Sequence, residues 1–350
     1  MNQLFLAFPG NLDTPTGGYG YDRRIIAGLR DLGWQVELVP LGEGFPAPSA
    51  QTLVAAEKRL AALPQGSRVV IDGLAFGAMA AAAAALDQHL SLVALVHHPL
   101  CLENGLTDGQ AQALRESEHR ALAFARHVIV TSPATARQVA DLFGYPAQRI
   151  SVVLPGTDRP GTIAREPADG VRLLSVGTVV ARKGYDLLFQ ALSGMRERNW
   201  HLEIVGGLES DPQCYRALLQ QIGDMHLAGR ITFHGAVPPD ALSGFYRNAD
   251  IFVLASRYEG YGMAYTEALA HGLPVIGSGG GAVRETLPDG AAIYCGIENV
   301  PALREALELL IGDAGARARM AQAARTAAEG LPDWRDAAAQ FAQTLQELAL

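Results

Sequence analysis

Short apolar runs alternate with longer helical patterns along the whole chain. Continuous apolar strands separated by helices indicate parallel strands that are covered on both faces. In the first half we predict helices such as Gly20–Leu32 and Asp108–Ala125, and strands at Gln3–Phe8, Gln35–Val39, Arg68–Ile71, Leu92–Val96, His127–Thr131 and Ile150–Leu154. This pattern predicts a doubly wound α/β unit.

A second unit of the same kind follows a segment without periodicity. Pro155–Gly170 is rich in proline, glycine and charge, which is typical of an interdomain linker. After it we predict strands at Arg172–Val176, His201–Val205, Arg230–Phe233, Asp250–Leu254, Pro274–Gly277 and Ala292–Tyr294. We expect two tandem Rossmann-like domains, 1–158 and 165–330, facing a cleft, with a C-terminal helix over about 333–350 that packs back on the first.

The composition is that of a core-rich globular protein, because 49% of the residues are hydrophobic and 18% are charged. The net charge of -8 leaves no basic excess for phosphates, which argues against nucleic acid as a partner. Cys101, Cys214 and Cys295 lie far apart, which suits a reducing compartment. The start "MNQLFLAFPG" has no basic leader and is not expected to be a signal peptide. We expect a cytoplasmic protein, and peripheral contact with the inner membrane face stays open.

Open α/β sheets bind ligands beyond the carboxyl ends of their strands, so the residues that follow each strand are the candidates. Gly17 and Gly18 follow the first strand, where glycine lets the backbone approach a ligand and a helix start offers N–H groups to an anion. A plain glycine turn explains the same residues. His97 and His98 follow the fourth strand, and either could donate to a ligand oxygen or cap the strand end.

Arg182 and Lys183 follow the first strand of the second unit, just before a predicted helix. Two fixed cations beside a helix N-terminus form an anion site, in which arginine supplies a planar fork and lysine a point charge. A solvated basic turn is the alternative. Arg257, further along the chain, either adds a cation that would suit a sugar carrying an acid group or is a surface residue, and we favour the surface interpretation.

The stretch "SRYEGYGMAYTEALAHGLPVIGSGGGAVRE", residues 256–285, holds two glutamates and a glycine cluster. We expect Glu259 at a loop tip beside backbone N–H groups, where it could accept from sugar hydroxyls. Glu267 falls inside a short helix among apolar residues, where an unpaired charge is rarely found. A carboxylate there should accept hydrogen bonds, and the vicinal hydroxyls of a ribose fit that task.

The glycine cluster also supports a rival hypothesis. Gly277, Gly279 and Ala282 fit the dinucleotide-binding pattern G-x-G-x-x-A, and Glu298 follows at roughly the distance of a ribose-binding acid. This interpretation predicts an NAD-type oxidoreductase. The pattern lies on the fifth strand of its unit and not on the first, so we keep it as the weaker alternative.

Taken together, the chain resembles a retaining glycosyltransferase of the GT-B type, in glycosyltransferase family four. The resemblance rests on "GGYGYDRRIIAGLRDLGWQVELV", "VHH", "VGTVVARKG", "FHGAVP" and "EGYGMAYTEALAHGLPVIGSGGGAVRE", and it covers nearly the whole chain. It implies two Rossmann-like domains, of which the C-terminal one holds a nucleotide-sugar donor and the N-terminal one an acceptor.

The resemblance also implies roles for individual residues. Arg182 and Lys183 should grip the donor diphosphate, Glu267 the ribose and Glu259 the donor sugar. His97, with His98 as the fallback, should lie by the reacting sugar. The implied catalytic residues are His97, Glu259, Arg182 and Lys183. The implied donor-binding residues are Gly17, Gly18, Arg182, Lys183, Val237, Glu259, Gly260, Tyr261, Gly262 and Glu267, and the segment from His234 to Val237 should face the base.

The implied reaction moves a hexose-type sugar from a UDP- or GDP-linked donor to a hydroxyl of a saccharide, lipid or small metabolite. The sequence contains no Asp-x-Asp metal clamp, and two fixed cations can stabilise the leaving diphosphate, so we expect neither a metal nor a cofactor. A catalytically silent protein that binds a nucleotide sugar is a further alternative.

Basic residues near the predicted helix Asp108–Ala125 bear on membrane contact. Arg115, Arg120 and Arg126 suggest a membrane-facing basic stripe, but Glu116 and Glu118 offset it. We interpret this surface as a solvated face.

Overall fold

The computed structural model describes residues 2–103, 105–161 and 169–348. They form two compact units, one from the N-terminus to Gly156 together with the segment from Trp334, the other Thr157–Asp333. The predicted linker Pro155–Gly170 falls partly on residues 162–168, which lie outside the described residues. No helix in the described ranges is both long and apolar enough to span a bilayer.

The first unit contains one parallel sheet in the order β2-β1-β3-β4-β5-β6. Its strands are β1 Gln3–Phe8, β2 Gln35–Pro40, β3 Arg68–Asp72, β4 Ser91–Val96, β5 His127–Val130 and β6 Ile150–Val152. The helices of this unit that precede the second unit in the chain are α1 Gly17–Asp31, α2 Ala50–Ala61, α3 Gly73–Phe76, α4 Ala80–Leu86, α5 Asp108–Leu122 and α6 Pro133–Phe143. Every residue of β4 is buried, which explains its unbroken apolar run.

The second unit contains a sheet in the order β14-β12-β10-β7-β8-β9 and a separate short pair, β11 with β13. Its strands are β7 Val171–Val176, β8 Trp200–Val205, β9 Ile231–Phe233, β10 Ile251–Leu254, β11 Tyr258–Glu259, β12 Val275–Gly277, β13 Gly280–Gly281 and β14 Ala292–Tyr294. Its helices are α7 Tyr185–Leu192, α8 Pro212–Asp224, α9 Pro239–Asn248, α10 Met263–Ala270, α11 Val283–Thr286, α12 Val300–Gly312 and α13 Ala314–Glu329.

Both sheets confirm the predicted doubly wound architecture. In each sheet the first strand lies inside and the chain winds outward from it in both directions, which brings the carboxyl ends of β7 and β10 side by side. All the predicted strands are present, and no end differs from the prediction by more than two residues. The pair β11–β13 was not predicted.

The last helix, α14 Trp334–Glu347, packs against α1 of the first unit. The two helices touch so closely that a Cβ on Gly28 would lie 2.4 Å from the Cβ of Ala338. The ring of Trp334 meets the ring of Tyr21 edge-on, and Gln340 donates to the carbonyl of Val152 at 2.9 Å. The first unit is therefore completed by the end of the chain.

Candidate active site

Two cations follow β7 in a short turn. Arg182 and Lys183 lie in a 3-10 turn over Ala181–Lys183, and α7 begins two residues later. The N–H of Arg257, which follows β10, donates to the carbonyl of Arg182 at 2.8 Å. The turn is thereby attached to the neighbouring strand, and both cations lie where parallel sheets bind ligands.

The carboxylate of Glu259 is buried against these cations. Its Oε1 lies 2.6 Å from Nζ of Lys183 and its Oε2 lies 3.3 Å from Nη1 of Arg182. The hydroxyl of Ser256 donates to Oε1 at 2.5 Å. The expectation that Glu259 lies at a loop tip is wrong, because the residue is the second of β11 and its side chain is only 8% exposed.

The charges around Glu259 decide its protonation. Burial alone raises the pKa of a carboxyl group. The charges of Lys183 and Arg182, and hydrogen bonds from Lys183 and Ser256, outweigh burial and lower the pKa of Glu259 to about 2. At neutral pH the three groups therefore carry two positive charges and one negative charge, so the cluster keeps a net positive charge.

The glycines of "GSGGGA" allow β13 to pass close to β11. Gly281 pairs with Glu259, has a φ of +69° and would place a Cβ 2.1 Å from the carbonyl oxygen of Glu259. A side chain there would break the pairing that buries Glu259. Glu298, the predicted ribose-binding acid, pairs with Arg257 at 2.6 Å instead. These glycines and this acid thus have a structural role in the unit, which leaves the NAD hypothesis without support.

Arg257 ties several segments of the second unit together. Its guanidinium donates to both carboxylate oxygens of Asp186, at 2.9 and 2.7 Å, and to the carbonyl of Ala181 at 2.6 Å. Its side chain is 21% exposed. The interpretation of Arg257 as a surface residue therefore needs correction, because the side chain clamps the turn that carries the two cations.

The loop Gly260–Gly262 leads directly into α10. Gly262 precedes the helix with a φ of +95°, and no side chain caps the helix start. The carbonyl of Tyr261 accepts from the hydroxyl of Thr286 at 2.7 Å, which holds the loop in place. The start of an uncapped helix presents backbone N–H groups that suit an anionic or hydroxylated ligand.

Glu267 lies in α10, in the second turn after this helix start. It is half-buried, and its Oε2 accepts from the hydroxyl of Tyr246 at 2.7 Å. Tyr246 is itself buried and stacks on the ring of His271, at 4.9 Å between ring centroids. Glu267 does accept a hydrogen bond, as the sequence predicted, and the donor is a tyrosine that the sequence did not reveal.

The segment predicted to face the base follows β9. Val237 is half-buried against the core near α9. The ring of His234 lies 4.6 Å from the ring of Phe245, and its Nε2 contacts the carboxylate of Glu203. The imidazole of His234 is thus held by two partners in its own unit.

In the first unit, the two consecutive histidines after β4 differ in surroundings. Nε2 of His97 lies 3.2 Å from Oδ1 of Asp22, and a Cβ on Gly18 would lie 3.4 Å from the His97 ring. Nε2 of His98 instead lies 3.0 Å from a carboxylate oxygen of Glu103, whose side chain is 42% exposed. Gly18 and His97 are therefore brought together at the start of α1, with Gly17 beside them, and His98 points elsewhere.

Two acids beside His97 were not predicted from the sequence. Asp22 and Asp72 are buried, and Oδ2 of Asp72 lies 3.8 Å from Nε2 of His97. One carboxylate oxygen from each acid and one ring nitrogen of His97 all lie within 4.8 Å of one another. Asp22 lies one helical turn after Gly18 and Asp72 ends the apolar run of β3, so their spacing was a signal that could have been used.

The structure changes the predicted balance between acidic and basic side chains on the surface of α5, because Glu118 does not lie on that surface. Its side chain is buried, and Oε2 accepts from the N–H of Leu100 at 2.9 Å. Burial raises the pKa of Glu118 to about 8, although the bond from Leu100 lowers it. Glu118 is therefore not a solvated anion that offsets Arg115 and Arg120, both of which are exposed.

Two doubly wound units with parallel sheets are the architecture of GT-B glycosyltransferases, and solved structures agree. A sucrose-phosphate synthase from Thermosynechococcus elongatus superposes with a TM-score of 0.85 and 21% identity, covering 99% of both chains. Anabaena HepE, in complex with UDP and glucose, gives a TM-score of 0.76 and 18% identity, covering 98% of this chain and 99% of that one. At these identities the likeness shows the fold.

Family models and curated relatives place the chain more narrowly. The model described as "Glycosyl transferases group 1" matches residues 163–327, and the model "Glycosyltransferase Family 4" matches residues 23–159. The chain belongs to this glycosyltransferase family. A D-inositol 3-phosphate glycosyltransferase from Acidothermus cellulolyticus is 33% identical over 190 residues, 48% of this chain and 42% of the relative. The chain spans about half the length of the curated relatives it matches.

Replacing Glu259 by glutamine tests the buried ion pairs. We expect Glu259→Gln to lower the free energy of unfolding of the second unit by about 2–4 kcal/mol at pH 7, because two cations lose a buried counter-charge. The pKa of Glu259 is lowered from 4.5 to about 2 in the folded state. Its stabilising contribution is thus complete above pH 4.5 and is lost as the pH falls from there toward 2.

Urea unfolding followed by tyrosine and tryptophan fluorescence measures the effect. The control is Glu298→Gln, which removes an acid that is 53% exposed and should cost at most about 1 kcal/mol. Equal effects of the two substitutions at pH 7, or a Glu259→Gln effect that stays constant down to pH 3, would contradict the account.

Proposed function

We propose that this protein is a retaining glycosyltransferase that uses a nucleotide diphosphate sugar, linked to UDP or GDP, and transfers its hexose-type sugar to a hydroxyl acceptor. The observation that carries the proposal is the cluster of Arg182 and Lys183 around the buried carboxylate of Glu259. It lies at the carboxyl end of a parallel sheet, beside the uncapped start of α10.

The charge of the cluster suits a diphosphate. Two cations and one carboxylate leave a net positive charge for an anionic ligand, and Arg257 and Ser256 hold the groups in place before any ligand arrives. Preorganised charge stabilises a leaving group without the cost of reorganisation, which is the most effective form of electrostatic catalysis. The cations are therefore proposed to bind the diphosphate, and Glu259 the donor sugar.

The remaining donor contacts follow from the second unit. Glu267 is proposed to accept from the ribose hydroxyls beside its bond from Tyr246, and the N–H groups of the Gly260–Gly262 loop to meet the sugar. Val237 is assigned to the base. Anabaena HepE, which shares the fold, was solved in complex with UDP and glucose, and this supports a nucleotide-sugar donor for this chain as well.

The first unit is proposed to bind the acceptor and to place His97 by the reacting sugar, with Gly17 and Gly18 at the diphosphate. The acceptor hydroxyl attacks the anomeric carbon on the face that the nucleoside diphosphate leaves. The bond from the anomeric carbon to the diphosphate oxygen breaks, and the proton of the hydroxyl passes to that oxygen. The configuration at the anomeric carbon is retained, and no enzyme-bound nucleophile is required.

Substitution of Lys183 tests this proposal, and the chain contains one other lysine, Lys58, which is exposed on α2. We expect Lys183→Ala to lower kcat by about 100-fold or more, because a fixed charge at the leaving group is lost. Lys58→Ala should leave kcat unchanged. The assay is release of nucleoside diphosphate from a panel of UDP- and GDP-linked hexoses, with saccharide, sugar-phosphate, inositol and lipid acceptors.

Circular dichroism of both variants checks that the fold is intact. A folded Lys183→Ala protein with wild-type kcat would contradict the proposal. Binding of UDP or GDP without turnover on any donor and acceptor would favour the alternative of a catalytically silent nucleotide-sugar-binding protein. A rise in melting temperature with NAD but not with UDP would favour the oxidoreductase hypothesis instead.

Metal independence is a separate prediction. We expect the initial rate to be the same in about 5 mM EDTA as in buffer alone, because Arg182 and Lys183 supply the charge that a divalent cation would otherwise provide. The measurement is nucleoside diphosphate release with and without chelator. Loss of activity in EDTA that returns with Mg²⁺ or Mn²⁺ would contradict it.

A further inference from the structure

Asp22 is a buried acid that the proposed reaction does not yet use. It lies on α1 one turn after Gly18, its side chain is fully buried, and its Oδ1 lies 3.2 Å from Nε2 of His97. Its other oxygen, Oδ2, is also buried and has no hydrogen-bond partner within the described part of the chain. Burying a carboxylate is costly unless a charge or several hydrogen bonds compensate it, so the contact with His97 carries most of that compensation.

The groups around His97 are mostly acidic. Asp22 and the Tyr21 ring, which is nearly perpendicular to the imidazole, face it from α1, and Asp72 faces it from the end of β3. Tyr19, also on α1, lies near both acids and donates its hydroxyl proton to the carbonyl of Pro9. Among the described residues, no arginine or lysine is one of the groups that shift the proton equilibrium of His97.

The proton equilibria agree with this geometry. Burial alone lowers the pKa of His97, but the charge of Asp22, its hydrogen bond and the charge of Asp72 together raise it above 6.5. Burial and the charge of Asp22 raise the pKa of Asp72 above its ordinary value. The cluster therefore favours a proton on the imidazole, facing Asp22, over a neutral ring.

We propose that Asp22 is a positioning residue that keeps His97 in its charged form, with the Nε2 proton donated to Asp22 and the Nδ1 proton left to donate to a substrate oxygen. Asp72 faces the same imidazole at a longer distance, 3.8 Å, and adds to this effect only when its own carboxyl is ionised. The role of His97 at the substrate rests on the proposed function, whereas the charge state of His97 does not.

Nuclear magnetic resonance of histidine tests the proposal without any assay of activity. The chain contains nine histidines, so the protein is labelled with ¹⁵N in histidine and the His97 signals are assigned with a His97→Gln variant. We expect His97 to carry both ring protons at pH 6.5 and to titrate above that value. In Asp22→Asn the midpoint should fall by about one unit or more, and in Asp72→Asn by less.

Glu103→Gln is the matched control, because it removes the carboxylate partner of the neighbouring His98 and should leave the His97 midpoint in place. A His97 that is neutral at pH 6.5 in the unaltered protein would overturn the proposal, and that result does not depend on whether Asp22→Asn folds. Equal midpoints in the unaltered protein and in a folded Asp22→Asn variant would overturn it too.

The pH profile of kcat/KM supplies a second readout. A raised pKa keeps His97 charged at low pH and releases its proton as the pH rises, so loss of Asp22 should move the alkaline decline to lower pH. We expect Asp22→Asn to lose about 10-fold more activity at pH 8 than at pH 6. A uniform loss across the range would indicate a merely structural role. A confirmed histidine titration in a protein without transferase activity would leave this inference standing and refute the proposed function.

Discussion

The burial of one carboxylate between two cations determines the arrangement of the second unit's site. An uncompensated buried charge costs several kcal/mol, so Glu259 can occupy its place only if Arg182 and Lys183 are held against it. Pairing with Glu259 also fixes the positions of the two cationic side chains before a ligand binds, because each long side chain is held against the carboxylate. The diphosphate proposed to bind there would meet charge that is already oriented.

The backbone supports this arrangement at several points. The pairing of β11 with β13 buries Glu259, and Gly281 makes the approach of the two strands possible. Arg257 binds Asp186 and the turn before Arg182, so the turn cannot drift away from the acid. The charge pattern is reversed in the first unit. There one imidazole, that of His97, lies beside two buried carboxylates, whereas in the second unit one carboxylate lies beside two cations.

The sequence predicted the fold almost completely, because parallel strands buried on both faces leave an unmistakable apolar run. It also singled out Arg182 and Lys183 as candidates because they follow a strand end, and the structure places both in the turn after β7. It misplaced Glu259, whose burial depends on a two-residue strand formed with glycines about 20 residues further along the chain. It missed Asp22 beside His97. The position of Asp22 one helical turn after Gly18 was a usable signal, but no periodic pattern pairs it with a residue 75 positions away.

The chain's two lysines make the central claim directly measurable. Protein labelled with ¹³C at the lysine Cε should give two signals, of which the one that disappears in Lys183→Ala belongs to Lys183. Titration with UDP and with GDP should move the Lys183 signal in a saturable way and leave the Lys58 signal where it was. If both signals stay in place at saturating concentrations of either nucleotide, or if only Lys58 responds, Lys183 does not contact a diphosphate and the account of this site fails.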